Sequence, residues 1–192
     1  MANKKESSFK NMLITLLVIT VVAGLALGGV YNVTKEPIAL AKKAKAEAAI
    51  KAVIPEFDTL QVYKVALEDG TDSLVFNQGY KDGQLVGTAI ETFSKNGYDP
   101  TPVRIMVGFS ATGEIINSEV IEQKETPGLG SKMASDKFKN QFNGKNPADF
   151  MLKVKKDGGN VDAITAATIS SRAYCEALQK AHSTYLKDGG SK

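Results

Sequence analysis

Between Met12 and Val30 the chain runs nineteen residues without a charge, only Thr15, Thr20 and three glycines diluting Leu, Ile, Val and Ala. No other stretch narrows the possible folds as much. At 1.5 Å per residue a helix of that length covers about 28 Å, close to the hydrocarbon thickness of a bilayer. Lys4, Lys5 and Lys10 precede the run, as in a cleavable signal peptide. Its apolar core is too long for one, however, and the small residues of Ala26-Leu27-Gly28 lie inside it. No Cys adjoins it for lipid modification. The sequence predicts a short cytoplasmic tail over 1–11 and a retained membrane helix over 12–31. Lys residues flank both ends, so charge alone does not orient it. A short basic tail stays inside more easily than it crosses, which places the remaining domain outside the cytoplasm.

The net charge of +3 conceals two unlike regions. Residues 1–45 hold seven Lys against Glu6 and Glu36, an excess of +5; residues 46–192 hold seventeen basic and nineteen acidic side chains, −2. The basic excess belongs beside anionic lipid headgroups or partner subunits. Without a basic stripe interleaved with aromatics, the domain gives no support to nucleic-acid binding. After the anchor, Ala, Lys and Glu predominate up to Ile54, predicting a helical stalk over 32–55 with a break near Glu36-Pro37.

Residues 56–192 read as an α+β domain of antiparallel hairpins packed with helices. Strands are predicted at Leu60–Leu67, Ser73–Tyr80, Leu85–Phe93, Val103–Phe109 and Glu114–Gln123, with turns at Lys81-Asp82-Gly83 and Ala111-Thr112-Gly113. A helix is expected over Ser131–Phe142, a short strand over Phe150–Val154, and a last helix after residue 167. Tyr174, Ala177, Leu178, Ala181 and Tyr185 give that helix one apolar face. Cys175 and His182 lie on it and are the only residues of their kinds. A lone Cys permits neither an intrachain disulfide nor a thiol metal site, and one His cannot assemble a zinc site. No Gly-x-Ser-x-Gly elbow accompanies that His for Ser-His-Asp catalysis.

The chemistry concentrates in Asp162-Ala163-Ile164-Thr165-Ala166-Ala167-Thr168-Ile169-Ser170-Ser171. Hydroxyls and small residues crowd there at the expected start of the last helix. Unpaired N–H groups and a positive partial charge make such a start a seat for phosphate. The plainer reading is that Thr168 or Ser170 only caps the helix. About forty residues upstream, Glu125-Thr126-Pro127-Gly128-Leu129-Gly130 reads as a Pro-Gly turn followed by a helix. Gly128 is expected to take φ > 0 there.

Together these two segments resemble the signatures of the FMN-binding domain family, found in the G subunits of Rnf complexes and the C subunits of sodium-pumping NADH:quinone reductases. Gly97-Tyr98 and the Gly113-Glu114-Ile115 hairpin follow the same layout, and the resemblance covers about residues 75–187. Two positions depart from the family. Ala166 stands where Gly is common, so φ > 0 there would be strained. Gln123 stands where many relatives have His, two residues before the loop Glu.

The resemblance implies FMN bound covalently through a phosphoester on Thr168. It implies that Thr165, Ser170 and the backbone of Ala167 and Ile169 hold the phosphate. Glu125, Thr126, Gly128 and Leu129 would close over the ring or ribityl chain, Lys132 would balance charge, and Tyr98 would stack. No catalytic residue or metal ligand is expected in this electron relay. The implied setting is an Rnf-type complex in the inner membrane, coupling ferredoxin:NAD electron transfer to Na⁺ or H⁺ translocation. Its other membrane subunits, membrane lipids and a flavin transferase for maturation would be the partners. The alternatives are a C-type subunit of a sodium-pumping quinone reductase, and an anchored scaffold with a vestigial flavin site.

Overall fold

The computed structural model describes residues 8–67, 70 and 72–188. The chain divides into two compact units, residues 1–44 and 45–192. Helix α1 runs from Phe9 to Val53 and is the one helix, among the described residues, long and apolar enough to cross a membrane. None of its apolar window is buried against protein, as suits a helix whose whole circumference is apolar. The break expected at Glu36-Pro37 does not occur, because α1 passes through Pro37. Proline removes one i→i−4 bond, and the helix-favouring residues on either side continue the ladder past it.

The second unit is built on a five-stranded antiparallel meander in sequence order: β1 (Thr59–Ala66), β2 (Ser73–Lys81), β3 (Gln84–Ser94), β4 (Val103–Phe109) and β5 (Ile115–Glu122). Each lies within two residues of its expected ends. The β2–β3 turn has φ of +52° at Asp82 and +77° at Gly83, the twist that two-residue hairpins favour.

One face of the sheet carries the larger core. Helix α3 (Thr168–Lys187) buries Ala173, Tyr174, Ala177, Leu178, Ala181 and Tyr185 there. Polar pins cross the same interface: the Thr92 hydroxyl donates to the Ala177 carbonyl (2.9 Å), and the Ser118 and Tyr174 hydroxyls share a bond of 2.8 Å. Tyr174 stacks on Phe142 and meets Phe138 edge-on. The other face holds a smaller cluster, where Ala49, Ile50 and Val53 at the end of α1, with Ile54, bury Ala89 and Met106.

Two expectations fail beside α3. The helix expected over Ser131–Phe142 is a 3₁₀ turn (Gly130–Ala134) and a short α2 (Asp136–Lys139), parted at Ser135, whose backbone is extended. Met133 and Phe142 lie nine residues apart, which puts them on opposite sides of a continuous helix. The break lets both reach the core, where each is fully buried. The strand expected over Phe150–Val154 is a single parallel bridge between Val154 and Val161. The Gly158-Gly159-Asn160 turn doubles the chain back too soon for a ladder, and the Asn160 side chain accepts the Met151 N–H instead.

Candidate functional site

The motif enters α3 through a bend at Ala166. Ala166 has φ of +61°, so the residue standing in for Gly does take the left-handed conformation. This costs an L-residue about 1–2 kcal/mol. Ser171, in the first turn of α3, holds the bend: its hydroxyl accepts the Ile164 N–H (2.9 Å) and donates to the Ala167 carbonyl (2.9 Å). The Ala167 N–H closes the turn on the Ile164 carbonyl. Ala167 is the N-cap and provides no side-chain bond, so the first amides of α3 stay uncapped. Polar N-cap residues are the rule; leaving their place to Ala exposes the positive end of a twenty-residue helix.

The segment at Glu125 forms the facing wall. Gly128 has the expected positive φ, +76°, and its N–H donates to the Ser131 hydroxyl. Glu125 is buried and binds three segments together. One carboxylate oxygen accepts the Tyr98 and Asp99 N–H groups (2.9 and 3.2 Å), and the other accepts the Ser170 hydroxyl (2.5 Å). Its own N–H donates to the Gln123 side chain (2.6 Å), so Gln123 positions this loop. A Cβ on Gly97 would lie 2.5 Å from Glu125 Oε1, and one on Gly130 2.7 Å from Oε2, so a side chain at either position would displace the Glu125 carboxylate.

Between these walls opens a cleft of about 550 Å³, lined by Tyr98, Glu125, Thr126, Leu129, Gly130 and the run from Ala166 to Ser170. The volume falls within the roughly 300–1,000 Å³ of small-molecule sites. Tyr98 (70% exposed), Leu129 and Ile169 present apolar surface to it. Most of the expected site residues therefore converge on one cleft. Thr165 and Lys132 do not; they line a neighbouring depression of about 400 Å³ with Asp162, which pairs with Lys155 at 2.8 Å. Gly128 shapes the turn without lining the cleft.

Hydroxyls in the motif divide sharply. Those of Ser170 and Ser171 are buried and committed, while Thr168, half-buried in the cleft, has no hydrogen-bond partner for its hydroxyl among the described residues. Sequence reading missed Ser171, Gly97 and Gly130 as shapers of the site. Close pairs such as Glu125/Gly130 leave no local signature, and Ser171 looks like any helical serine.

Another hollow, about 700 Å³, runs along α3 from Arg172 to Ser183, away from the convergence of motif residues. Several of its rim charges have internal partners: Arg172 grips Asp157 through two bonds of 2.7 Å, and Lys180 donates to the Phe93 carbonyl. That guanidinium holds the Asp157 carboxyl below the usual range. Cys175, at the base of this hollow, is buried, and burial pushes its thiol up to about 12, which leaves it a packed, unreactive residue. Among the described residues no three His, Cys, Asp or Glu side chains gather into a metal site.

The FMN-binding domain family model matches residues 97–183, a span containing both walls of the cleft. The G subunit of the ion-translocating oxidoreductase complex of Methanosarcina acetivorans is 30% identical over 186 residues, covering 94% of this chain and 95% of the relative. Its counterpart in Erwinia tasmaniensis is 42% identical over 106 residues, covering 52% of this chain and 50% of the relative. The crystal structure of Shewanella oneidensis NqrC aligns with a TM-score of 0.46 at 18% identity, over 67% of this chain and 65% of that one.

Proposed function

Since this chain belongs to the FMN-binding domain family that includes the G subunits of ion-translocating oxidoreductase complexes, we propose that it carries FMN as a phosphoester on Thr168 and relays electrons within such a complex. One observation carries the attachment: Thr168 has the motif hydroxyl that lies in the cleft and is held by nothing among the described residues. When bound, FMN supplies a ring that accepts and returns electrons. The chain's own residues do the rest. Uncapped amides at the start of α3 hold the phosphate, whose negative charge suits the helix terminus. Ala166 and Ala167 let it approach the backbone. Leu129 and Ile169 exclude water from the ring, and Tyr98 supplies the stacking surface that a chain without Trp must find elsewhere.

With its Ser170 proton given to Glu125, the site relies on backbone donors more than on that hydroxyl. Thr165 and Lys132 serve the phosphate side from the adjoining depression. The helix over 12–31 anchors the chain with residues 1–11 in the cytoplasm, the stalk over 32–55 follows, and the domain over 56–192 is extracytoplasmic. Partners are the other membrane subunits of an Rnf-type complex coupling ferredoxin:NAD electron transfer to Na⁺ or H⁺ movement. A flavin transferase performs maturation, and Asp162 belongs to its recognition signal.

Intact mass after co-expression with a flavin transferase tests the attachment. An increment of FMN minus water is expected, disappearing in Thr168→Ala together with ultraviolet fluorescence of the denatured band; full flavinylation of Thr168→Ala would refute it. The orientation is tested by Lys187→Cys on a Cys175→Ser background. An impermeant thiol reagent should label it in intact cells, and labelling only after lysis reverses the topology.

A further inference from the structure

Resting on the flavin reading above, we infer that Glu125 is a fixed negative charge in the wall of the cleft that holds the reduction potential of the bound flavin down. Glu125 lines the cleft yet is only 3% exposed. Its two oxygens take two backbone N–H groups and one hydroxyl, an arrangement suited to a carboxylate that only accepts. Gly97 and Gly130 pack close to those oxygens, since a Cβ on either would fall 2.5 and 2.7 Å from them, and the burial of the carboxylate limits its screening by water. The N-terminus of α3, where Ser170 sits, offsets part of the cost of burying this charge.

A charge so enclosed acts over a longer range than one at the surface, where water and salt damp the field. Electrons entering the ring bring negative charge except where protons accompany them. Glu125 opposes that gain and so favours the oxidised form. Ser170 moderates the effect, because its donated proton draws the carboxylate's charge toward itself. The two side chains should therefore act in opposite directions, which a purely structural strut would not do.

The test is spectroelectrochemical titration of the full flavinylated chain in detergent. Glu125→Gln keeps the size and the capacity to accept the Tyr98 and Asp99 amides while removing the charge. It should raise the reduced-to-oxidised ratio at fixed potential at least tenfold, about 30 mV for two electrons. Ser170→Ala should lower that ratio. Unchanged ratios, or shifts of the same sign in both variants, overturn the inference. A folded Glu125→Gln chain without flavin also overturns it, since the side chain would then serve attachment. If Glu125→Gln does not fold, the sign of the Ser170→Ala shift decides. A wild-type chain without flavin on Thr168 would instead overturn the attachment reading.

Discussion

The two faces of the sheet are built on opposite principles. Under α3 the core is large and aromatic, with Phe138, Phe142 and Tyr174 in mutual contact and several side-chain hydrogen bonds reaching across. On the other face the end of α1 sits almost on the strands. A Cβ on Gly108 would come within 1.8 Å of the Val53 carbonyl oxygen, and Asn117 donates to the Ala52 carbonyl at 3.0 Å. A close approach of backbone to backbone demands glycine but little side-chain volume. Helix α3, which begins at Thr168, is instead fixed by many interlocked side chains along its length. Site precision resides on the face with redundancy, while the face toward α1 depends on a few irreplaceable positions.

Removing that second face altogether should have the largest effect. A chain beginning at residue 46 keeps Ala49, Ile50, Val53 and Ile54 and should be soluble and cooperatively folded. One beginning at residue 56 uncovers Ala89 and Met106 and should lose about 5 kcal/mol or more, at about 1.5–3 kcal/mol for each large buried side chain. Chemical denaturation of both proteins checks this, and equal stabilities would mean the α1 end is dispensable. Gly108→Val should cost about 3 kcal/mol while leaving Thr168 flavinylated in the folded fraction, as read by denaturation midpoint and intact mass.

Effects shrink at the site itself. Gly128→Val forces a branched residue to φ of +76° at a cost of about 1–2 kcal/mol. It should displace Leu129 and change the visible spectrum of the flavin without removing it. Identical spectra in a folded variant would mean that the loop does not face the ring. Ala166→Gly should stabilise the chain by about 0.5–1 kcal/mol, relief of the left-handed strain outweighing the added freedom of the unfolded glycine; a melting comparison decides the sign.

The smallest effect concerns pH and the α3 face. Burial lowers the pKa of His182 below its ordinary 6.5. The unfolded chain therefore binds a proton first as pH falls below about 6.5, and stability should decline from there until the folded value is passed. His182→Gln should flatten that part of the pH–stability curve, and an unchanged slope would assign it to other groups.

Much of this was legible in the sequence. Strand alternation and the Asp82-Gly83 turn placed all five strands, because local backbone preference and burial agree there. The motif placed Thr168 at a helix start, and the family's usual glycine flagged residue 166 before its φ of +61° was known. Less legible was whatever depended on distant packing. The break at Ser135 follows from the need to bury both Met133 and Phe142, and Pro37 did not stop α1 because its neighbours carry the helix past it. The separation of Thr165 from Thr168 into different depressions depends on a bend only the folded chain reveals.

Order along the sheet also bears on how the molecule assembles. Every strand pairs with its neighbour in sequence, so the meander can zip up through successive short loop closures, the inexpensive kind. Helix α3 is different, since it reaches β3 and β4 from some eighty residues away: Thr92 meets Ala177 and Ser110 meets Tyr185. The bend at Ala166 and the Thr168 hydroxyl belong to that last segment, and α3 holds them against the sheet. On the attachment proposed above, a truncated or stalled chain should present the sheet without a finished acceptor for the flavin.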